Sequence, residues 1–522
     1  MRTLAVALAA LALAPSALAE PFTLIQVERG GSARAVPALR LHRAEPVSRS
    51  LRVWRVRTEV ARQILPGLRA ERLVRSAEPD AVVGAAGHIT SGDPLVPQQR
   101  WLALVGADRV EPPGPGKPVT VIDSGLDLLH PEFAARPGTT ALNAQTTLGR
   151  DEHHGTAVSS LVGAPANGIG LVGVYPQAVL NSWDAAPGGR LTVGDIVSGL
   201  DAASAAGAGV INLSLGSSEP SDILKHAVYT AVARGSLVVA ASGNSREEGN
   251  PLEFPASLAH VLTVAATTDQ NQVAQFSSAS PAVDLAAPGD RIPIAVPATF
   301  RPTGFSFASG TSFSAPIVSG AAAWVWTARP ELDNTQLFEL LRSSARDVGA
   351  PGFDEDTGFG VLDIPAALAA PAPPRDPQEP NDDIDQVRAS GLFETAKPLL
   401  TSPNRLNATL LASVDESEDP EDVYRVFLRA RSTVTVTLKP QADVELEAWL
   451  DTAESVLERE VTPVPRRLAR SGKPGAATET VTLTNRSARG SVVYVDVRPA
   501  EGTRSSSYRL TITTKPLPKP KR

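Results

Sequence analysis

Short apolar runs recur along the middle of the chain, at 119–122, 179–182, 209–213, 237–241 and 261–265. Each is apolar at successive positions and too short for a helix, the pattern of a strand covered on both faces. Between several of them lie small-residue stretches of helical periodicity, 193–206 and 221–234 among them. Such alternation predicts an α/β unit over about 91–368, a parallel sheet with helices on both faces. Ligands in that architecture gather at the carboxyl ends of strands, so chemistry is sought there.

The flanks follow other rules. Residues 51–57 alternate as a strand does, and 59–68 read as a helix until Pro66 and Gly67 disturb it, which suggests a small α+β unit over 20–90. Residues 369–380 are dense in Pro and Ala, the composition of a stiff, extended linker. Beyond it the period falls to two, at 423–427, 433–438, 479–483, 492–497 and 508–512. Those runs predict a β-sandwich over 381–515, before a Lys/Pro tail at 516–522.

Arg2, an Ala/Leu/Val run over 4–14 and Ala17-Leu18-Ala19 have the order of a secretory leader cut after Ala19. The competing membrane anchor is disfavoured because the run is short of the roughly 20 residues that span a bilayer. The expectation is therefore a secreted protein, extracellular or periplasmic, with no membrane partner. Cysteine is absent and Met1 is the only methionine. An exported chain of this kind must be held without disulfides, by packing, with bound ions as a further means.

Charge separates the first unit from the rest. Residues 20–90 carry twelve Arg, no Lys and seven acidic groups, a net of +5 in a chain of net −7. A basic segment beside an acidic remainder suits a removable partner drawn in electrostatically. Its charge is interrupted by acids rather than clustered, which argues against a nucleic-acid face.

Three segments stand out for chemistry: Val119-Thr120-Val121-Ile122-Asp123-Ser124-Gly125, His153-His154-Gly155-Thr156, and Ser309-Gly310-Thr311-Ser312 before an apolar helix. Amide hydrolysis at neutral pH needs a nucleophile, a base, and a group that fixes the base's tautomer. Ser, His and Asp supply those roles, and a serine at a helix start sets its own N–H near a developing oxyanion. Asn244, after the apolar run 237–241, presents a side-chain amide at a strand end, a second such donor. Singly, each feature reads as a turn or cap. Their number and order give the hydrolytic reading its weight.

In that order these segments resemble the subtilase family over about 91–370, together with His130-Pro131-Glu132, Asn212-Leu213-Ser214-Leu215-Gly216 and Ala315-Pro316. The resemblance implies a subtilisin-like serine endopeptidase acting on protein or peptide substrates as a monomer. It implies Asp123 as orienting acid, His154 as base, Ser312 as nucleophile and Asn244 as oxyanion donor. Ser214, Leu215 and Gly216 would pair with an extended substrate. His153 stays an alternative to His154, which alone is followed by Gly-Thr. Residues 163–174 resemble the family's calcium loop, with Asn167, Ile169, Leu171 and Glu132 as ligands. Phe254-Pro255 resembles the pair that follows the primary specificity pocket, which puts Glu253 at its base. Residues 20–90 take the position of an inhibitory propeptide. Glu379-Pro380-Asn381-Asp382 with the later strands resembles a bacterial prepeptidase C-terminal domain, which implies an accessory sandwich, in some cases calcium-linked. A rival reading makes that sandwich a surface-binding module and the α/β unit only its scaffold.

Residues 20–90 added in trans should inhibit the processed protein, and less well as salt rises, because screening weakens a charge-steered encounter. Inhibition constants measured against ionic strength test this; a flat response removes the electrostatic part.

Overall fold

The computed structural model describes residues 22–28, 32–48, 52–79, 92–145, 153–461 and 464–518. The leader expected at 1–19 and the tip of the Lys/Pro tail lie outside them. The chain divides into two compact units, 1–86 and 87–522.

In the first unit, antiparallel strands stand in the order Glu45–Ser48, Val53–Arg57, Phe22–Val27, Val74–Pro79. Helices Ser32–Leu41 and Thr58–Ala70 complete it, around a core that includes Ile25, Leu39, Val56 and Leu68. The second helix continues past Pro66 and Gly67 to Ala70, where an interruption was expected. Pro removes a single N–H from the helix, while Ala61, Ile64, Leu65 and Leu68 keep the same face on the core on both sides of it.

The second unit is built on seven strands: β1 (Pro118–Asp123), β2 (Thr139–Ala141), β3 (Val179–Asp184), β4 (Val210–Leu213), β5 (Leu237–Ala241), β6 (Val261–Thr267) and β7 (Leu285–Pro288). Their order is β7-β6-β5-β4-β1-β3-β2, with every neighbouring pair parallel. Alternate residues feed two cores. Val119, Val121, Val239 and Val264 face helices α1 (His154–Gly163) and α4 (Thr311–Ala328), while Ile122, Ile211, Val238 and Val261 face α2 (Val193–Ala206) and α3 (Asp222–Ala233). Both faces are covered, which is why the runs read as continuously apolar. Close packing makes α4 rich in small residues: a methyl group on Gly320 would lie 2.4 Å from Val174 Cγ1.

The C-terminal part is a sandwich of two antiparallel sheets. One has the order Ala408–Asp415, Ser505–Pro516, Ser432–Pro440, Glu479–Asn485, and the other Asp422–Leu428, Ser491–Pro499, Val444–Leu450, Arg467–Ser471. Residues 369–380 do not hang between modules as a free tether. Arg329 donates to the Ala370 carbonyl at 2.6 Å and Gln336 to that of Pro373 at 2.7 Å, while Asp376 accepts from Ser413 N–H and hydroxyl at 2.7 Å each. Beside them Arg342, on helix Asn334–Ser343, is buried among Glu339 at 2.8 Å, Asp415 at 3.3 Å and Asp284 at 3.7 Å. One guanidinium thus neutralises acids of both modules.

Replacing Arg342 by Ala would strand Asp284 and Asp415 in the interior without their cation. The expected loss of stability is about 3–5 kcal/mol in urea unfolding. A loss below about 1 kcal/mol, the value of a solvated pair, would show that this one does not matter.

Candidate active site

Asp123 closes β1, His154 opens α1, Asn244 follows β5 and Ser312 is the second residue of α4. All four therefore lie where strands end or helices begin. The buried Asp123 carboxylate receives His154 Nδ1 at 2.9 and 3.0 Å, and the Ser124 N–H donates to the same carboxylate at 2.7 Å. Ser124 Oγ in turn accepts the Gly155 N–H at 3.0 Å, tying the turn after β1 to the start of α1. Only glycine fits at 155, since a methyl group there would lie 2.3 Å from the Gly125 carbonyl oxygen.

His153 stacks on Phe300, rings 3.9 Å apart, so of the two adjacent histidines it is His154 that faces the acid. Burial lowers the basicity of His154, but the charge and hydrogen bond of Asp123 outweigh it and leave the imidazole above its ordinary value near 6.5. A third of the side chain, 33%, stays accessible, enough for a reactant to reach the ring.

A chain of buried hydrogen bonds fixes the backbone under Ser312. Ser319 Oγ donates to Asn212 Oδ1 at 2.9 Å, Asn212 Nδ2 to Ser214 Oγ at 3.0 Å, and Ser214 Oγ to the Ser312 carbonyl at 2.9 Å. Ser312 Oγ itself donates to the Ser214 carbonyl at 3.3 Å, and no hydrogen bond joins Ser312 to His154 among the described residues. Such contacts commonly tighten only with substrate in place. The ring of Phe313, next to Ser312, lies 5.7 Å from that of His154. Asn244 is oriented by its oxygen, which accepts Thr311 N–H at 2.8 Å and Thr311 Oγ1 at 3.1 Å. That leaves its NH2 group as a donor beside Gly310 and the head of α4.

Ser214 is buried, Leu215 half-buried and Gly216 exposed, so this segment leaves the sheet for the surface next to Ser312. Ser217 and Phe254 pair as antiparallel neighbours, N–H to carbonyl at 3.0 and 2.8 Å. That pairing sets Glu253 against both Gly216 and Gly243, where added methyl groups would lie 3.4 Å from Oε2 and 2.6 Å from Cγ. Partial burial raises its carboxyl above the ordinary value, offset in part by a hydrogen bond from Ser245.

The remaining predicted residues form a separate loop. Glu132 accepts the Leu171 N–H at 3.0 Å and Asn167 Nδ2 at 3.1 Å, and burial pushes its carboxyl up to about 7. The sequence reading missed Asp93. Its Oδ1 accepts the N–H groups of Ile169 at 2.9 Å and Asn167 at 3.3 Å, while its buried Oδ2 has no hydrogen-bond partner. Two adjoining carboxylates, one with a buried oxygen unmet, are hard donors of the kind calcium takes, but Ile169 and Leu171 meet them through N–H groups and the Asn167 oxygen accepts the Ile169 N–H at 2.8 Å. Asp93 carries no local signal, since it lies in a turn more than seventy residues before the loop.

In NMR titration His154 should lose its proton above pH 6.5, and Asp123→Asn should lower that midpoint by removing the neighbouring charge. An unmoved midpoint would mean that Asp123 does not hold the imidazolium.

Residues 114–360 match the model of the Subtilase family. Subtilisin BL of Lederbergia lenta is 35% identical over 254 residues, which cover 47% of this chain and 92% of the relative. Subtilisin Savinase of the same organism has the same identity over 254 residues, with the same coverage of 47% and 92%. The Minor extracellular protease Epr of Bacillus subtilis (strain 168) is 31% identical over 271 residues, 52% of this chain and 40% of that one. With that identity across nearly the whole of two relatives, on a seven-stranded parallel sheet, the chain belongs to the subtilase family of serine peptidases.

Proposed function

We propose that this serine peptidase is an exported endopeptidase that cleaves peptide bonds through an acyl-enzyme on Ser312. The observation that carries the reading is the bond between His154 Nδ1 and the buried Asp123 carboxylate, at 2.9 Å, with Ser312 nearby at the head of α4. With Nδ1–H committed to Asp123, the other ring nitrogen holds a lone pair for the proton of Ser312. Ser312 Oγ then attacks the substrate carbonyl carbon while His154 takes that proton, and the oxygen of the carbonyl becomes an anion. Donors for that anion are the Ser312 N–H, at the positive end of α4, and Asn244 Nδ2. His154 returns the proton to the leaving amine, and water repeats the sequence to release the acid. The cycle needs neutral His154, so activity should fall as pH drops through a midpoint above 6.5.

Segment 214–216, which emerges from the sheet to an exposed Gly216, offers its backbone to an extended substrate, and Glu253 beneath Gly216 offers a carboxylate to a Lys or Arg side chain. Residues 20–90 act in this reading as a propeptide that Ser312 itself releases. A calcium ion held by Glu132, Asp93 and Asn167 would stiffen the 163–174 loop in a protein without disulfides. The leader-like start supports export.

Ser312→Ala should abolish peptide hydrolysis and release of 20–90 together; processing by the purified variant, free of other proteases, would refute a single nucleophile. Asn244→Ala should fold normally and lose about 3 kcal/mol of transition-state stabilisation, the contribution of one oxyanion donor. An unchanged kcat would assign the anion to other groups.

Peptides that differ only in the residue before the cleaved bond report on Glu253. Glu253→Gly should reduce cleavage after Arg relative to Phe at least tenfold, as loss of a charged pair of about 1.5–3 kcal/mol requires. An unaltered ratio would place Glu253 outside the pocket.

A further inference from the structure

Glu253 is held from two sides. Phe254, the residue after it, pairs with Ser217 at 3.0 and 2.8 Å, and the Ser257 N–H donates to the Glu253 carbonyl at 2.8 Å. On the other side stands the loop 243–250, where a methyl group on Gly243 would lie 2.6 Å from Glu253 Cγ and Ser245 hydrogen-bonds the Glu253 carboxylate. How that carboxylate sits beneath Gly216 therefore depends on where the loop is fixed. A surface loop has no core of its own, so its position follows from its tethers.

The tethers run first to segment 276–280, between β6 and β7. Ser278 N–H donates to the Gly243 carbonyl at 3.0 Å, Ser245 N–H to Ser278 Oγ at 3.1 Å, and Asn250 and Ala279 exchange two bonds, at 2.8 and 2.9 Å. Arg246 reaches past this segment. Its Nε donates to the Ser277 carbonyl at 2.5 Å and its Nη2 to Asp356 at 2.6 Å, on the loop 353–359. That loop is ordered by its own contacts: Asp354 accepts the N–H groups of Asp356 at 3.0 Å and Thr357 at 2.8 Å, and the rings of Phe353 and Phe359 meet edge to face at 5.5 Å. Gly358 seats it on the sheet, at φ +62° and with only 2.2 Å between an added methyl group and the Asp284 carbonyl. From the sandwich, Arg504 lays its guanidinium 3.1 Å over the ring of Phe353 and donates to the Pro281 carbonyl at 3.4 Å. A guanidinium stacks flat on a ring face and is attracted by it, so the sandwich grips the loop that carries Asp356.

We propose, resting on the reading of Glu253 as the acid of the specificity pocket, that Arg246 is a positioning residue for Glu253 and that the sandwich, through Arg504, holds the loop against which Arg246 is set. The accessory module thus takes part in selecting the residue before the cleaved bond without touching substrate. Arg246 and Asp356 keep solvent contact, 29% and 48% of their side chains, so their pair adds little to stability. Its consequence is geometric. A guanidinium bonded at two of its nitrogens fixes direction as well as distance, which a single contact does not. Ser245, the neighbour of Arg246, is thereby set against Glu253. The charge of Arg246 alone would act the other way, since removing a cation beside an acidic pocket favours a basic substrate side chain.

The test compares peptides with Arg or Phe before the cleaved bond, hydrolysed by the full chain after its own processing, with active sites titrated so that lost protein does not count as lost activity. Arg246→Ala and Asp356→Ala should each lower the Arg-to-Phe ratio of kcat/KM about three- to tenfold, and the double variant no further than either alone, because each removes the same pair. The melting temperature should stay within about 3 °C of the parent, as loss of a solvated pair allows. Arg504→Ala should move the ratio in the same direction. In a Glu253→Gly background Arg246→Ala should leave the ratio where it is, since its effect runs through Glu253. If Glu253→Gly by itself leaves the ratio unchanged, the pocket reading fails and the positioning role falls with it. If Glu253→Gly lowers the ratio while Arg246→Ala leaves it unchanged or raises it, the pocket reading stands and the role of Arg246 is overturned. An unmoved ratio in Arg504→Ala overturns the part assigned to the sandwich.

Discussion

Burial of helix α4 against the sheet is the constraint on which the rest depends. Its residues from Phe313 to Trp326 are buried without a break, and each fully buried large side chain there is worth about 1.5–3 kcal/mol. Small residues permit the approach, as the contact of Gly320 with Val174 requires. A helix fixed along its length fixes its first turn as well, and that turn carries Thr311 and Ser312. The Ser312 hydroxyl is thus positioned by packing that extends far from it. The same logic holds for His154, whose helix is buried from Gly155 to Gly163.

Polar order is layered on this packing. Thr311 orients Asn244 through two hydrogen bonds, and the Ser319–Asn212–Ser214 chain supports the carbonyl of Ser312. Asn212, Ser214, Thr311 and Ser319 are buried and each is met, which is the condition for such a network to add rigidity, while Asn244 itself is exposed. Asp123 follows the same rule with a charge, since the N–H of Ser124 and the imidazole of His154 share its two oxygens.

The seam between protease domain and sandwich uses buried charge differently. At Arg342 one cation is shared by three acids that it pairs directly, and the pairing joins modules that composition alone would separate. At His260 the acids outnumber the bases and several oxygens stay unmet. The seam thus holds two buried charge clusters, one with its groups paired and one with carboxylate oxygens unmet. They also give the sandwich a mechanical tie to β6, the strand next to the one that ends before Asn244.

Much of this protein is legible locally. Buried parallel strands are continuous apolar runs, helix 193–206 has the limits its periodicity gives, and Asp123, His154, Asn244 and Ser312 each lie in a turn or helix start with its own residue pattern. Glu479–Asn485 alternates buried and exposed at every step, so its strand shows plainly. Arg467–Ser471 has two arginines among five residues and escaped the reading, because its partners, Glu447 and Glu445, are supplied by another strand. Asp93, His260 and Arg342 have no local pattern either. Their meaning depends on residues tens to more than a hundred positions away, brought near by sheet order and by the docking of the sandwich. Sequence by itself determined the elements and the chemistry carried at their ends, since both follow from side chains within a few residues of one another. Only the tertiary structure decided which buried charges meet and which oxygens are left unmet, because electrostatic and hydrogen-bond energies act over distances in space that chain order does not encode.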